Sequence, residues 1–116
     1  MRIGEIALRS GVAASRIRFY ETHGLLPKPP RGDNGYRDYA AGAVETLTLI
    51  DQAQRLGFTL GEIKSALTQG GGNLPTRQHM LEALRDKLVA LDQHLEEVTR
   101  RRLQVIALIA KYEAGY

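Results

Sequence analysis

The last third of the sequence carries one regular apolar stripe, in which large apolar residues recur at steps of three and four positions. A single charged residue, Arg102, occupies the one slot of the stripe that is not apolar. The apolar members are Leu81, Leu84, Leu88, Leu91, Leu95, Val98, Val105, Ile109 and Tyr112. This repeat is typical of the a and d positions of a coiled coil, and it predicts one long helix over residues 76–112.

A helix of that length constrains the whole chain. At about 1.5 Å per residue it would extend roughly 55 Å, and a protein of 116 residues leaves too few others to cover the stripe along its length. We therefore expect the stripe to be buried against a second copy, in a two-stranded coiled-coil homodimer. The alternative is a helix that folds back on the N-terminal part of its own chain.

Composition removes several classes of function. The sequence holds no cysteine, which excludes disulfides, zinc–thiolate sites, iron–sulfur clusters held by cysteine and cysteine nucleophiles. No apolar run reaches the roughly 18 residues that a membrane span requires, and the first residues do not form a signal peptide, so we expect a cytoplasmic protein with no membrane partner. Seven bases and four acids in residues 1–40 match the whole net charge of +3. This is a weak indication of a polyanionic partner, and an ordinary solvated face explains it equally well.

Two short helical segments near the N-terminus form a helix-turn-helix pattern. Gly11 follows the first apolar segment and is the residue type that ends helices in the left-handed conformation. The second segment, residues 13–23, closes at Gly24. Apolar residues of both segments, Ile6 and Ile17 among them, would form a small shared core. An unrelated helical hairpin would show a similar pattern.

The segment after this pair predicts a short β-hairpin. Three of the four residues at 27–30 are proline, which disfavours a helix, and Asn34-Gly35 is a strong two-residue turn signal. Tyr36, Arg37 and Tyr39 would lie on the returning strand, with Arg37 and Tyr39 on one face because side chains alternate. Arginine and tyrosine near a hairpin tip suit a phosphate backbone. The alternative is a hairpin whose tyrosines pack on the helices.

Two further helices are predicted over residues 44–56 and 60–67. Thr59 is a candidate N-cap for the second of them, and Glu62 three residues later would complete a capping box. We interpret this pair as a scaffold that supports the N-terminal segments. Three consecutive glycines at 70–72 then separate it from the long helix.

At this point the sequence resembles the MerR family of bacterial transcription regulators. The resemblance rests on IGEIA at 3–7, RFYE at 18–21, GLLP at 24–27, NGYRDY at 34–39 and LGFTLGEI at 56–63. Their order and spacing match over residues 1–68, and the long helix matches in kind and position. A helix-turn-helix alone is a common pattern, whereas this combination of motifs is highly specific.

The resemblance implies a mainly α fold, with a winged helix-turn-helix head, a second helix pair and a long C-terminal helix that forms an antiparallel coiled coil in a homodimer. The implied domains are a DNA-binding domain at 1–69, a glycine-rich hinge at 70–75 and a dimerisation helix at 76–116. The resemblance also implies a regulator, not an enzyme, that binds a near-palindromic operator in double-stranded promoter DNA. Activation in this family distorts the DNA so that RNA polymerase engages the promoter.

The resemblance assigns site residues motif by motif. On the recognition helix, Ser15, Arg16 and Arg18 would reach base edges or phosphates. Tyr20 matches a tyrosine that contacts the DNA backbone, with a core position as its alternative. The wing contacts fall on Arg31, Asn34, Tyr36, Arg37 and Tyr39. The dimer contacts fall on Leu81, Leu84, Leu88, Leu91, Leu95, Val98, Val105 and Ile109.

Two further residues at the recognition helix are singled out, one for a structural role and one for a missing helix cap. Glu21 is expected to be structural, because phosphates repel a carboxylate. Ala13 stands where a hydroxyl usually caps the helix, so that stabilisation is lost unless another group supplies it.

The absence of cysteine also bears on what the protein senses. Metal-sensing members of the family use cysteines, so any small-molecule effector is expected to bind without thiolates. His79 with Glu82, and His94 with Glu97, would share helical faces, but a zinc site needs three or four protein ligands. We interpret both as surface pairs and expect neither a metal nor a cofactor. Three hypotheses remain: an effector-responsive activator, an effector-independent repressor or architectural protein, and a small enzyme or protein-binding module.

Overall fold

Five α-helices make up most of the described chain. The computed structural model describes residues 1–69 and 74–115. In these residues the helices are α1 (Ile3–Ser10), α2 (Ala14–Thr22), α3 (Gly42–Arg55), α4 (Leu60–Gln69) and α5 (Arg77–Glu113). The chain divides into two compact units, Met1–Thr76 and Arg77–Tyr116, which we call the head and the α5 unit. The predicted hinge at 70–75 falls mainly on residues 70–73, which lie outside the described residues.

The first two helices form the predicted helix-turn-helix. α1 ends at Gly11, which has a φ of 73° and donates its N–H to the Ala7 carbonyl at 3.0 Å. A left-handed residue is tolerated there because glycine has no β-carbon. Ile6, Val12 and Ile17 are buried and form the shared core between α1 and α2. The sequence prediction of two helices hinged at Gly11 is confirmed.

The wing between α2 and α3 turns differently from the prediction. The Gly35 N–H donates to the Gly32 carbonyl at 2.9 Å, and the Gly32 N–H donates to the Tyr36 carbonyl at 2.7 Å. These bonds enclose a three-residue loop that ends in Gly35, whose φ is 79°. A two-residue type I′ turn needs positive φ at both central residues, and among the described residues only glycines have positive φ. The predicted two-residue turn at Asn34-Gly35 is therefore wrong by one residue.

The predicted returning strand is reduced to one isolated antiparallel bridge, between Arg31 and Arg37. Further pairing on the outgoing side is limited because proline has no N–H to donate. The returning side pairs elsewhere: the Tyr39 N–H donates to the Met1 carbonyl at 2.7 Å, and the Met1 amine donates to the Tyr39 carbonyl at 2.8 Å. The same amine binds the Asp38 carboxylate at 2.8 Å. The base of the wing is thus attached to the first residue of the chain.

The second helix pair extends the core of the head. Leu47 and Ile50 of α3 and Ile63 of α4 are buried in the same cluster as the residues of α1 and α2. The predicted capping box at the start of α4 is confirmed by two reciprocal bonds: the Glu62 N–H donates to Thr59 Oγ1 at 3.1 Å, and the Thr59 N–H donates to Glu62 Oε1 at 2.9 Å. The pair is held in the cluster that supports α2.

α5 is one uninterrupted helix, and each of its ends lies one residue later than predicted. Pro75 is compatible with the first turn of a helix in sequence terms, but it lies outside α5, two residues before its first residue. None of the described residues of α5 is buried within the chain. Its apolar stripe is open, from 38% exposed at Leu81 to 67% at Tyr112.

No helix in the described ranges combines the length and the apolar character that crossing a membrane would require.

Candidate nucleic-acid interface

α2 has two sides of different chemistry. Three of its residues lie in the core of the head, as the 3.6-residue period of the helix predicts: Ile17, Tyr20 and Glu21. Ser15, Arg16 and Arg18 are exposed. The three residues predicted to reach base edges or phosphates therefore lie on the solvent side of the recognition helix.

Aromatic rings extend the exposed side of α2 towards its C-terminus. Phe19 is 42% exposed, and its ring centre lies 4.0 Å from that of His23. The Arg16 guanidinium lies over the Tyr20 ring at 6.0 Å. Sequence reasoning assigned no role to Phe19 or His23. A large apolar residue beside two arginines was the available signal, but the sequence does not tell whether it points inward or outward.

Hydrogen bonds between residues of the wing stabilise the conformation of its tip. Arg31 donates from Nη1 to the Gly35 carbonyl at 2.9 Å. Asn34 accepts the Tyr36 N–H on its side-chain oxygen at 3.2 Å. Both side chains are exposed, as the predicted wing contacts require.

Arg2 is a residue that sequence reasoning missed. Its guanidinium lies 4.4 Å from the centre of the Tyr36 ring, in a cation–π contact that joins the residue preceding α1 to the wing. Tyr36 is 59% exposed, so the pair forms part of the surface. Only the basic character of Arg2 was visible in the sequence, because its partner lies 34 positions away.

Glu21 joins α2 to the wing. Its side chain is 1% exposed; Oε2 accepts from Arg37 Nη1 at 2.5 Å and Oε1 accepts from the Tyr39 hydroxyl. Arg37 and Tyr39 therefore lie on one face of the returning segment, as the alternation predicted, and the structural role expected of Glu21 is confirmed. Arg37 remains 35% exposed, so its guanidinium both neutralises Glu21 and reaches solvent.

The contacts among Glu21, Arg37 and Tyr39 shift the pKa values of Tyr39 and Arg37. Burial, followed by the hydrogen bond to Glu21, raises the pKa of Tyr39 above its ordinary value of 10.0. The hydrogen bond with Tyr39, followed by the charge of Glu21, raises the pKa of Arg37. At neutral pH Tyr39 is therefore a neutral phenol and Arg37 a guanidinium cation.

Two of the predicted DNA-contacting tyrosines lie in the core. Tyr20 is fully buried, and its hydroxyl donates to Gln54 Oε1 of α3 at 2.5 Å. Tyr39 is 3% exposed. The placement favours the core alternative for both residues and leaves Tyr36 as the exposed tyrosine of the wing. The physical reason is that each hydroxyl finds a buried polar partner, which an apolar core otherwise lacks.

Lys64 of α4 is a second cation that sequence reasoning missed. Its ammonium lies beside Gly24, so closely that a β-carbon on that glycine would come within 3.0 Å of Nζ. Gly24 has a φ of 76° and follows the C-terminus of α2. The scaffold helices thus contribute a positive charge near the end of the recognition helix.

The remaining charges of the head leave a basic surface. Glu5 pairs with Arg9, and Asp51 pairs with Arg55. The other exposed cations of residues 1–40 are Arg2, Arg16, Arg18, Lys28 and Arg31. In the described ranges, no group of three or more His, Asp or Glu side chains could hold a metal ion. The surface is suited to an anionic polymer.

The head combines a helix-turn-helix, an exposed polar and basic side on its second helix, and an adjoining wing with exposed cations. Together these features define a DNA-binding protein. Comparison with known families places it more closely. Residues 1–70 match the family described as MerR HTH family regulatory protein, and residues 44–108 match the one described as MerR, DNA binding. The chain belongs to the MerR family of transcription regulators, as its motifs indicated.

A relative of known class agrees with this assignment. The HTH-type transcriptional regulator CueR of Yersinia pestis is 35% identical over 108 residues, which cover 93% of this chain and 78% of the relative.

Solved structures share the fold. PbrR691 from Ralstonia metallidurans CH34, solved in complex with lead(II), has a TM-score of 0.76 at 24% identity, over 93% of this chain and 84% of the other. HiNmlR, a MerR family regulator lacking the sensor domain and bound to promoter DNA, has a TM-score of 0.65 at 23% identity, over 86% of this chain and 76% of the other.

Proposed function

We propose that this regulator binds a near-palindromic promoter operator as a homodimer and activates transcription by distorting the DNA, in response to an effector that is not held by thiolates. The observation that carries the proposal is the combination of an exposed basic side on the recognition helix with an open apolar stripe on α5. A bacterial regulator of this kind acts in the cytoplasm, with promoter DNA and RNA polymerase as its partners.

The proposed DNA contacts come from the exposed residues of α2 and the wing. Ser15, Arg16 and Arg18 would enter the major groove, where base edges distinguish all four base pairs. The wing would contact phosphates and the minor groove through Arg31, Asn34, Tyr36 and Arg37. Arg2 joins this set through its contact with Tyr36. Tyr20 and Tyr39 would support these contacts from the core without touching DNA.

The proposed dimer rests on the exposure of the stripe. Nine large apolar side chains at coiled-coil spacing lie open along α5, and a second copy with the same stripe covers them by the ordinary packing of a two-stranded coiled coil. Pairing would place two heads at the two half-sites of a palindrome, because the symmetry of the operator matches that of the dimer.

Distortion of the DNA would follow from the stiffness of that assembly. Two heads connected by a long helix pair impose their own spacing on the duplex. A duplex whose half-site spacing differs must bend to bind both heads, and bends of 40–90° cost about 1–6 kcal/mol. An effector that changes the spacing of the heads would change the path of the DNA. Since the sequence has no cysteine, an effector bound by these residues would contact nitrogen, oxygen or apolar groups.

Sedimentation and gel-shift measurements test the dimer and its DNA binding together. Leu95→Asp places a charge in the stripe and should give monomers that lose operator affinity. Leu103→Asp is a matched control, because Leu103 is similarly exposed on α5 but lies outside the stripe. A Leu95→Asp variant that stays dimeric would overturn the proposed interface.

Transcription in vitro from the protein's own promoter tests the mode of regulation. The proposal expects little activation by purified protein alone and activation on adding cell extract or a panel of small molecules. Full activation or repression without an additive would favour an effector-independent repressor or architectural protein. A circular-permutation gel shift on the same promoter measures the bend directly.

A further inference from the structure

The residues of the α5 stripe favour one particular pairing of two α5 helices. Taken with Arg102, its slots alternate between the a positions Leu81, Leu88, Leu95, Arg102 and Ile109 and the d positions Leu84, Leu91, Val98, Val105 and Tyr112. These slots are symmetric about the peptide bond between Glu96 and Glu97. Arg102 is the one member that does not belong in an apolar seam, so its surroundings decide which pairing is favoured.

Arg102 disfavours a parallel pair. In a parallel two-stranded coil each a residue faces the a residue of the partner, which would bring the two Arg102 side chains together inside the seam. In an antiparallel coil each a residue faces a d residue, and every d residue of this stripe is apolar or aromatic. A parallel coil would bring Lys87 towards the partner's Asp92, but an exposed pair of that kind contributes little. The stripe itself therefore favours the antiparallel arrangement.

The symmetric register buries the whole stripe. It pairs Leu81 with Tyr112, Leu84 with Ile109, Leu88 with Val105, Leu91 with Arg102 and Leu95 with Val98, each pair occurring twice. Sliding one helix by a heptad in either direction leaves two stripe residues at one end of each helix without a facing partner. Those side chains are 38–67% exposed in the single chain and would remain so.

The charge beside Arg102 selects the same register. In an antiparallel coil an a residue is flanked by an e residue of the partner, which directly follows the facing d residue. In the symmetric register Arg102 faces the partner's Leu91 and is flanked by the partner's Asp92. After a shift of one heptad it would be flanked by the partner's Arg85, and after the opposite shift by the partner's Thr99. Only the symmetric register places an acid there.

We propose that Arg102 determines the orientation and register of the homodimer, by packing its aliphatic stem on the partner's Leu91 while its guanidinium pairs with the partner's Asp92. The inference rests on the proposed homodimer and adds its pairing. A polar residue at a single a position is a known means of specifying register in coiled coils, at some loss of stability.

Disulfide trapping tests the pairing of the two helices. Because the sequence has no cysteine, every disulfide formed must come from an introduced pair. Leu88→Cys combined with Val105→Cys should give a disulfide-linked dimer under mild oxidation. Leu88→Cys alone should not, since a self-link at this position reports a parallel coil. Leu81→Cys with Val105→Cys, and Leu88→Cys with Tyr112→Cys, report the two shifted registers and should link poorly.

Exchanging the charges of Arg102 and Asp92 tests whether these two residues pair across the dimer. Asp92→Arg should raise the dimer dissociation constant about tenfold or more, because Arg102 then meets a like charge at both of its symmetry-related positions near the middle of the seam. Adding Arg102→Asp should restore most of that loss and the Leu88–Val105 cross-link. Arg102→Leu should tighten the dimer while allowing parallel cross-links through Leu88→Cys.

The outcomes separate the two proposals. Cross-links that report a shifted or parallel register in the otherwise unchanged chain, or no rescue by the exchanged pair, would overturn the role of Arg102 and leave the homodimer intact. A chain that sediments as a monomer at micromolar concentration and forms none of the cross-links would overturn the proposed dimer itself.

Discussion

Arg37 of the wing lies 2.5 Å from the carboxylate of Glu21 on the recognition helix. The two residues are 16 positions apart, and the carboxylate is buried whereas the guanidinium is partly open to solvent. The pair therefore couples the position of the wing to that of α2. Arg37 therefore has two roles, since the guanidinium that neutralises Glu21 is also available to a phosphate.

Removing Arg37 should affect binding and stability together. Arg37→Ala should weaken binding to all duplexes by a similar factor and reduce the salt slope of binding by about 1 per subunit, because phosphate contacts carry no sequence information. It should also lower the melting temperature, because a buried carboxylate loses its counter-charge. Gel shifts over a salt series and thermal melts measure the two effects.

A second substitution separates these effects. Adding Glu21→Gln to Arg37→Ala removes the unpaired charge and should recover much of the melting temperature, while DNA affinity stays low. Recovery of affinity along with stability would show that Arg37 acts only through the fold.

Tyr20→Phe should lower stability without weakening DNA binding. The substitution removes the hydroxyl that donates to Gln54 in the core, and the loss of one such bond reduces the free energy of unfolding by about 1 kcal/mol. Urea unfolding at fixed protein concentration measures it. Tyr36→Phe is the matched control: its hydroxyl belongs to the exposed wing, so affinity should fall while stability changes little. The reverse outcome would place Tyr20, not Tyr36, at the DNA.

Alkaline pH should destabilise the head through Tyr39. Its pKa in the folded state lies above 10.0, so the tyrosine of the unfolded chain loses its proton first as the pH rises past that value. The unfolded state then binds fewer protons, and the free energy of unfolding falls as pH increases further. Tyr39→Phe should lack this part of the decline in unfolding free energy. Tyr36→Phe keeps the buried hydroxyl of Tyr39 and should retain the decline. Equal slopes for wild type and Tyr39→Phe between pH 9 and 11 would contradict the assignment.

The two helix starts should respond in opposite directions to substitution. α2 begins after Ala13 with no side-chain cap, so Ala13→Ser should raise the free energy of unfolding by about 0.5–2 kcal/mol. α4 begins at the Thr59–Glu62 capping box, and Thr59→Ala should lower it by a similar amount. Chemical unfolding monitored by helical circular dichroism reports both changes. A destabilising Ala13→Ser would mean that another group already occupies the cap position.

Local features of the head could be predicted because their causes lie within a few residues. Gly11 ends α1 through its own left-handed backbone, and the capping box joins residues three positions apart. The inward side of α2 follows from helical periodicity once Ile17 is taken as core. Ser15, Arg16 and Arg18, which the family resemblance assigned to the DNA-facing side, lie on the opposite, exposed side.

The wing could not be predicted in the same way, because its partners are distant in sequence. Its base pairs with Met1, 38 positions before Tyr39, in place of a longer strand pairing. Arg2 became part of the surface beside the wing through the ring of Tyr36. Neither contact leaves a periodic signal in the chain.

The sequence by itself determined the order of the helices, the helix-turn-helix and the open stripe of α5, since these depend on short-range spacing and on residue types such as glycine and leucine. Only the tertiary structure decided between surface and core for the aromatic residues. Tyr20 and Tyr39 are buried because Gln54 and Glu21 meet their hydroxyls from 34 and 18 residues away. A tyrosine has an apolar ring and a polar tip, so its place depends on whether a distant partner is present.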